Sequence, residues 1–480
     1  MTFSFPAGFS DRMRTLLGEE WPAFAAAYER PLLRGLRVNT LKCGPERLTG
    51  LMADTLLAPT PFAPHSYYLR EAYRAGADPL HHAGAYYMQE PSAMSAVTAL
   101  DPRPGERVMD LCAAPGGKST QIAAALRGEG LLWCNEYVGA RARILCQNLE
   151  RCGVRNAVVT SLDTAVLADR LGESGSGQGF FDAVLADAPC SGEGMFRKEP
   201  AALEQWSEDN IRLCARRQDG ILDNAARLVR PGGRLLYSTC TFAPEENELA
   251  VARFLHRHPD FQLADLGGGD SPARSFGRPG FDWDRVSPFA GEESDPGVPL
   301  SRCRRLLPNV DAGGGEGHFL ALFVREGAAL ELNSPLIPIN QGTNGKMISE
   351  LYETCFSDPL YGIPTTVGVL MRLLPTALPR ERGVHLLSAG VAAAEIRKNR
   401  LEPCHALFMA ADPKACRSAA DLPLGDPRLA AFLRGEEIAV PGGAGYTAVC
   451  AAGVVTGFGK VSGGRLKNRY PKGLRLLDSR

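Results

Sequence analysis

The 480-residue chain is predicted to be an α/β protein built around a parallel sheet, and three stretches carry that prediction. Arg107-Val108-Met109-Asp110-Leu111-Cys112 reads as a short buried strand. It runs into the small-residue turn Ala113-Ala114-Pro115-Gly116-Gly117 and then the helical pattern Lys118 to Leu126. Phe181 to Asp187 is an apolar run ending in an acid, and Pro189 then forces the chain out of regular structure. Asp187 and Cys190 are therefore expected on the loop leaving the carboxyl end of a buried strand. Leu235 to Thr241 repeats the arrangement, with Cys240 at the mouth of its strand. Open α/β sheets bind ligands at these carboxyl ends, so two thiols and a carboxylate are expected to face one pocket.

Bulk properties bound the rest. At about 100 to 200 residues per domain, a chain of this length holds two to four. With 45% hydrophobic and 22% charged residues it reads as an ordinary globular protein. No apolar run approaches the ~18 residues a membrane helix needs. Met1 to Pro6 lacks a basic segment followed by an apolar core, so a cytoplasmic protein without membrane association is expected. The 13 cysteines are odd in number, scattered and free of Cys-x-x-Cys pairs, which argues against a disulfide framework or a zinc ribbon, and no metal site is expected. A net charge of -1 gives no global basic field, so any nucleic-acid affinity must come from local patches.

Taken in order, Phe9 to Tyr28 has amphipathic helical spacing and Gly35 to Lys42 reads as a strand, together a cap on the main domain. Arg37 and Lys42 are candidates to face a phosphate backbone instead. Gly84 to Met94 either lines a base pocket or staples the start of the helix that runs to Leu100. The turn from Cys112 to Gly117, followed by a helix whose first N–H groups are free, makes a cradle for a nucleotide-like ligand with a carboxylate. It lacks Gly-x-Gly-x-x-Gly, which disfavours NAD.

The strand Leu131 to Asn135 ends at Glu136, close to the spacing at which a Rossmann-like acid meets ribose hydroxyls. Ala157 to Ser161 runs into Asp163, a candidate for an adenine amino group. Either acid alone is more often a helix cap. Three strand ends bearing acids beside a small-residue loop favour S-adenosylmethionine as cofactor and a Rossmann-like domain.

Gly172 to Gly179 reads as a flexible excursion, Leu203 to Leu228 as one long helix, and Pro231-Gly232-Gly233 as the turn into the Cys240 strand. Glu245-Glu246-Asn247-Glu248 is expected to charge the first turn of a further helix. Leu266 to Pro308 is expected to be an irregular loop, and His318 to Phe323 to close the sheet. A boundary is placed between Glu326 and Gln341. Near the end, from Lys460 to Arg475, Lys460, Arg465, Lys467, Arg469, Lys472 and Arg475 occur with Tyr470 and no acid among them, either a basic solvated tail or, the better reading, a pattern suited to RNA phosphate and base contacts on glycine-rich turns.

Asp110-Leu-Cys-Ala-Ala-Pro-Gly-Gly-Lys118, Asp187-Ala-Pro-Cys190-Ser-Gly and Ser238-Thr-Cys240-Thr, in that order, resemble the signature set of the Nol/Nop/Sun family of RNA cytosine carbon-5 methyltransferases. The tail from Gly457 to Arg475 is similar to the end of the family's bacterial RsmF subgroup. His318-Phe319 departs from the paired aromatics usual after Gly-Glu-Gly.

The resemblance implies a small N-terminal α/β RNA-binding region (1–75), a Rossmann-like methyltransferase domain (76–326), a connecting α/β region (327–383) and a PUA-like α+β region (384–480). It implies cofactor contacts from Cys112, Ala113, Ala114, Pro115, Gly116, Gly117, Lys118, Glu136, Asp163 and Asp187. It further implies a monomer acting on small-subunit (16S) ribosomal RNA, with Cys240 as nucleophile and Cys190 assisting product release. Chemistry supports that division, because carbon 5 of cytosine is a poor nucleophile until a thiolate has added at carbon 6. Asp187, held protonated, is the expected donor to N3. The competing readings are the same chemistry on tRNA, a catalytically silent ribosome-assembly factor, and a thiol hydrolase, for which neither His256 nor His258 is placed near Cys240.

Overall fold

The computed structural model describes residues 3–70, 73–172, 179–310, 314–328, 345–358, 362–376, 378, 384–398, 400–442 and 444–476. Residues 173–178 of the expected excursion and most of the boundary between Glu326 and Gln341 lie outside the described residues.

The amphipathic start forms two helices, Phe9–Leu17 and Trp21–Ala27, separated by a 3-10 turn at Gly18–Glu20. Phe9, Met13, Leu16 and Phe24 recur at helical spacing and are buried against the main domain, with the Phe24 ring edge-on to Phe242 at 5.2 Å. A four-stranded antiparallel sheet follows, made of β1 (Arg34–Val38), β2 (Leu56–Pro59), β3 (Ser66–Leu69) and β4 (Tyr86–Gln89), in the order β2-β3-β1-β4.

The main sheet is built from β5 (Arg107–Asp110), β6 (Leu131–Asn135), β7 (Ala157–Thr160), β8 (Phe181–Asp187) and β9 (Val229–Thr239), all parallel. To these are added β10 (Phe261–Leu263), β11 (Arg278–Pro279), β12 (Arg304–Leu306) and β13 (His318–Arg325). The order is β11-β12-β13-β9-β8-β5-β6-β7, with β10 and β12 both paired to β13, and β13 antiparallel to β9.

Both faces are covered, and successive residues alternate between two cores. Met109, Trp133 and Val184 pack on one side, and Val108, Leu132, Ala183 and Leu185 on the other. Connections run in opposite directions from β5, which puts the topological switch between β5 and β8. Asp110, Asp187 and the residues after Thr239 all sit at that edge.

Three expectations about this domain are corrected. Leu203 to Leu228 is two helices, Pro200–Glu204 and Glu208–Leu228, because Ser207 caps the second by accepting from Asn210 N at 3.1 Å. Pro231-Gly232-Gly233 lies inside β9, where the pairing with β8 shifts register between Phe181 and Ala183. Leu266 to Pro308 is not wholly irregular, since β11 and β12 extend the sheet within it.

The rest of the chain continues with β14 (Ile363–Val367), β15 (Leu370–Leu374), β16 (Leu386–Ala389), β17 (Val391–Arg397) and β18 (Arg400–Pro403). β16 leaves its neighbours to pair antiparallel with β7, so the main sheet gains an edge strand from beyond residue 380. The last sheet has the order β19-β21-β22-β23-β20, from β19 (Ala419–Leu422), β20 (Ile438–Ala439), β21 (Gly445–Ala451), β22 (Val454–Ser462) and β23 (Arg465–Asn468). Leu36, Val38 and Tyr86 share a core with Leu429, Phe432 and Val449, so the N-terminal sheet packs on the C-terminal one. Among the described residues no helix is long and apolar enough to cross a membrane.

Candidate active site

The cradle is set largely by backbone. Leu111 N donates to Leu185 O at 2.9 Å and Ala113 N to Asn135 O at 2.8 Å, which pins the turn between β8 and β6. Gly116 has φ +112° at the start of the helix Gly117–Leu126, and a Cβ there would stand 3.1 Å from Leu145 Cδ1. The carboxyl of Asp110 is buried, with Oδ2 accepting from Ser119 Oγ at 2.6 Å and Oδ1 without a protein partner. Burial pushes it up to about 7.

Glu136, also buried, accepts from Val138 N at 2.9 Å and lies 3.2 Å from Arg141. Asp163 is exposed and caps the next helix, its Oδ1 accepting from Ala165 N at 2.9 Å. Small residues, free helix N–H groups and carboxylates at successive strand ends fit an aminoacyl nucleoside such as S-adenosylmethionine.

Lys118 belongs to the other half of the crevice. Its ammonium lies 2.7 Å from Asp187 Oδ2, and Ser238, the register partner of Asp187 on β9, donates to Oδ1 at 2.7 Å. His318 Nε2 is 3.6 Å from the same oxygen. Burial alone would raise Asp187, but Lys118 and His318 outweigh it and hold the carboxyl well below the ordinary range. The expectation of a protonated Asp187 is therefore overturned: the group is a carboxylate. Burial opposes the charge on Lys118, yet Asp187 brings its ammonium above the usual lysine value.

Cys190 and Cys240 meet as expected, their sulfurs 3.4 Å apart across the ends of β8 and β9. All 13 cysteines are free. The Cys190 thiol is pushed up, first by its hydrogen bond with Cys240 and then by burial.

Under the thiols lies a layer that sequence reasoning missed. Ser191 Oγ is 2.8 Å from Thr241 Oγ1, Ser191 N donates to Glu246 Oε2 at 3.0 Å, and Phe242 N donates to Glu193 Oε2 at 2.9 Å. Glu246 and Glu248 are fully buried. Glu248 opens the helix Glu248–Arg257, as expected of an acid in its first turn, and its carboxylate also pairs with Arg305, whose Nε donates at 2.7 Å, while Glu246, in the 3-10 segment before that helix, holds the Cys190 loop. The available signal was a hydroxyl residue directly after each cysteine.

Other expected contacts fall differently. Arg37 is buried, donating to Thr120 Oγ1 at 2.9 Å and to Gly117 O at 3.3 Å, so it braces the cofactor helix instead of facing phosphate. Lys42 donates to Val455 O at 2.9 Å, and burial pushes it down to about 7. Glu90 accepts from Ser92 Oγ at 2.5 Å and Ala93 N at 2.7 Å, which is the stapling alternative for Gly84 to Met94. His258 is occupied by Asp223 at 2.8 Å.

Lys460, Arg465, Lys467, Arg469 and Lys472 are exposed, but Lys460 and Lys467 sit on β22 and β23 and not on turns. Tyr470 is buried, its hydroxyl 2.9 Å from His82 Nδ1 and its ring against Phe432. It cannot stack on a base.

A Rossmann-like sheet with this strand order, a small-residue cradle and paired thiols at the adjoining strand ends defines a methyltransferase fold. The family model described as 16S rRNA methyltransferase RsmB/F matches residues 97–323, flanked by matches to the N-terminal domain of 16S rRNA methyltransferase RsmF (5–91) and the methyltransferase RsmF PUA domain (419–476). Over these three segments the chain is similar to the RsmB/F family of 16S rRNA methyltransferases.

Ribosomal RNA small subunit methyltransferase F of Escherichia fergusonii is 40% identical over 286 residues, 57% of this chain and 58% of that protein. The Cronobacter sakazakii protein of the same name is 40% identical over 264 residues, 53% and 54% of the two chains. The chain thus spans little more than half the length of the curated relatives it matches. A methyltransferase homolog protein from Pyrococcus horikoshii superposes with a TM-score of 0.55 at 32% identity, covering 66% of this chain and 94% of that one. NSun6 from the same organism shares the fold, with a TM-score of 0.54 at 22% identity over 68% of this chain and 99% of that one.

Proposed function

We propose that the protein methylates carbon 5 of a cytosine in 16S ribosomal RNA, in the cytoplasm and as a monomer, using S-adenosylmethionine. The observation that carries the reading is the 3.4 Å approach of Cys190 and Cys240 beside Asp187 and one strand away from the cradle. The cofactor supplies, when bound, a methyl group on a sulfonium. Asp110, Glu136 and the turn from Cys112 to Gly117 would hold it, with Asp163 at the far end.

Cys240 adds to carbon 6 of the target base, which makes carbon 5 nucleophilic. A water positioned by Cys190 takes the carbon 5 proton, and the electron pair of that C–H bond restores the ring double bond as Cys240 leaves as its thiolate. Asp187, as a carboxylate, accepts from the exocyclic amine, and Lys118 is the cation placed to offset charge that builds on the ring. The base must leave any stack it occupies to reach a pocket at the sheet edge. The division into 1–75, 76–326, 327–383 and 384–480 is proposed with it, and Lys460, Arg465, Lys467, Arg469 and Lys472 are proposed as the RNA-facing cations of the last region.

The test is incubation with cofactor and 16S RNA followed by bisulfite sequencing. Wild type should give 5-methylcytosine, Cys240→Ala none, and Cys190→Ala a protein–RNA adduct that survives denaturing electrophoresis. An adduct from Cys240→Ala and none from Cys190→Ala would reverse the two roles. RNA binding with no modified cytosine in wild type would leave an assembly factor.

A further inference from the structure

The layer beneath the thiols contains four oxygens whose protons can be counted. Glu246 Oε1 lies 2.5 Å from Ser191 Oγ, Ser191 Oγ 2.8 Å from Thr241 Oγ1, and Thr241 Oγ1 3.0 Å from Glu193 Oε2. All four side chains are buried. Three contacts of this length need three protons, and the two hydroxyls bring only one each. If both acids were ionised, Ser191 and Thr241 would each donate outward, and the contact between them would hold two oxygens and no hydrogen. A third proton must sit on a carboxyl group.

The other donors decide which one. On Glu193, Oε1 accepts from Trp206 Nε1 at 2.8 Å, and Oε2 accepts from Phe242 N at 2.9 Å as well as facing Thr241. Both of its oxygens are acceptors. On Glu246, Ser191 N at 3.0 Å and Gln218 Nε2 at 2.8 Å converge on Oε2, which leaves Oε1 facing the Ser191 hydroxyl alone. One oxygen of Glu246 is thus a carbonyl by its partners and the other is free to carry hydrogen.

We propose that Glu246 is a neutral carboxylic acid that donates into a one-way chain through Ser191 and Thr241 to ionised Glu193, and that this chain positions the loops bearing Cys190 and Cys240. Ser191 and Thr241 each follow their cysteine directly, so their contact clasps the two loops together. Ionising Glu246 removes the clasp's hydrogen.

The surroundings agree. Glu246 faces Glu193, Cys190, Cys214 of the helix Glu208–Leu228 and Tyr237 of β9, whose hydroxyl donates to Glu246 O at 2.6 Å. Of the nearby cations, Arg253 is taken up by Asp219 and Glu293, and Arg12 by Glu245. Burial first, with Glu193 adding to it against the hydrogen bonds, pushes Glu246 up to about 8.

The proposal rests on Cys190 and Cys240 as the reacting pair, but its proton content can be measured without turnover. Difference infrared spectra of the full chain, wild type minus Glu246→Gln at pH 7, should show the carbonyl stretch of a neutral carboxylic acid, with any band from Asp110 cancelling. The band should fade in wild type as pH rises through about 8 and should survive in Glu193→Gln. Its absence from wild type, or its loss in Glu193→Gln, overturns the assignment whether or not the protein methylates RNA.

For the positioning role, the wild-type rate of methyl transfer should fall above about pH 8, and the fall should be missing in Glu246→Gln, whose amide keeps a hydrogen toward Ser191. An alkaline fall of equal size in both proteins overturns that role. Should Glu246→Gln not fold, Thr241→Val, which breaks the chain one link on, must lower the rate and shift the wild-type band, and an unmoved band again overturns the proposal.

Discussion

The cofactor cradle and the thiol pocket occupy adjoining halves of one sheet edge and are built by opposite means. The cradle is made by main chain: amides of Leu111 and Ala113 bonded to neighbouring strands, and a glycine in a left-handed conformation that opens the helix. The pocket is made by side chains, with two cysteines resting on two hydroxyls and two buried acids. Main-chain geometry is indifferent to most substitutions nearby, whereas a hydrogen-bonded layer of buried acids fails when one partner is removed. The two halves should therefore respond differently to mutation.

Removing the Cys240 sulfur divides them most sharply. Cys240→Ala should abolish methyl transfer while calorimetric binding of S-adenosylmethionine is unaltered, because the cofactor contacts proposed above, from Cys112 to Gly117 and from Glu136, follow β5 and β6. A loss of cofactor affinity in that variant would show that the halves are one site.

Next in size is the support behind the pocket. Arg305 and Glu248 form an ion pair almost wholly withdrawn from water, and Arg305 Nη1 also donates to Phe242 O at 2.8 Å, two residues after Cys240. Glu248→Ala strands a buried guanidinium and should cost about 3–5 kcal/mol in urea unfolding. Replacing both residues by apolar ones of similar volume should cost far less, since the penalty arises from the charge left unpaired.

The halves also differed in how far they could be read in advance. Strand, turn and helix from Arg107 to Leu126 were legible because every determinant is local: apolar run, small residues, helical spacing. The approach of Cys190 to Cys240 was legible because each follows an apolar strand of a parallel sheet. The helix start at Glu248 was legible, but the buried partners of Glu246 and Glu248 were not, because they lie far away in the chain, Ser191 55 residues before Glu246 and Arg305 57 residues after Glu248. β11 and β12, two and three residues long, carry no periodicity to detect. Asp187 was assigned the wrong protonation because the turn that supplies Lys118 was assigned wholly to the cofactor.

A smaller effect tests the cradle. Gly116→Ala places a side chain at φ +112° and 3.1 Å from Leu145 Cδ1, a conformation that costs on the order of 1–3 kcal/mol away from glycine. Cofactor affinity should fall by up to about tenfold per 1.4 kcal/mol of that cost expressed in the bound state. The alkylation rate of Cys240 should not change, and a change in it would show that the cradle sets the pocket's shape.

The smallest effect concerns the C-terminal sheet, where exposed cations and a buried aromatic stand a few residues apart. Lys460 and Lys467 are register partners on β22 and β23, both exposed, with the Lys460 ammonium 5.5 Å from the Tyr446 ring. Like charges directly opposite are unfavourable in a sheet, so removing one should leave stability equal or slightly higher. If the strand pair meets RNA phosphate, Lys460→Ala should lower the slope of log affinity against log salt by about one unit and weaken binding evenly across sequences. Tyr470→Phe should do the reverse: it forfeits the bond to His82, at about 1 kcal/mol of stability, and leaves RNA affinity unchanged, because a ring packed on Phe432 has no free face for a base. Loss of RNA affinity in Tyr470→Phe with an unaltered salt slope in Lys460→Ala would move the RNA contact from the strand surface to the junction between the terminal sheets.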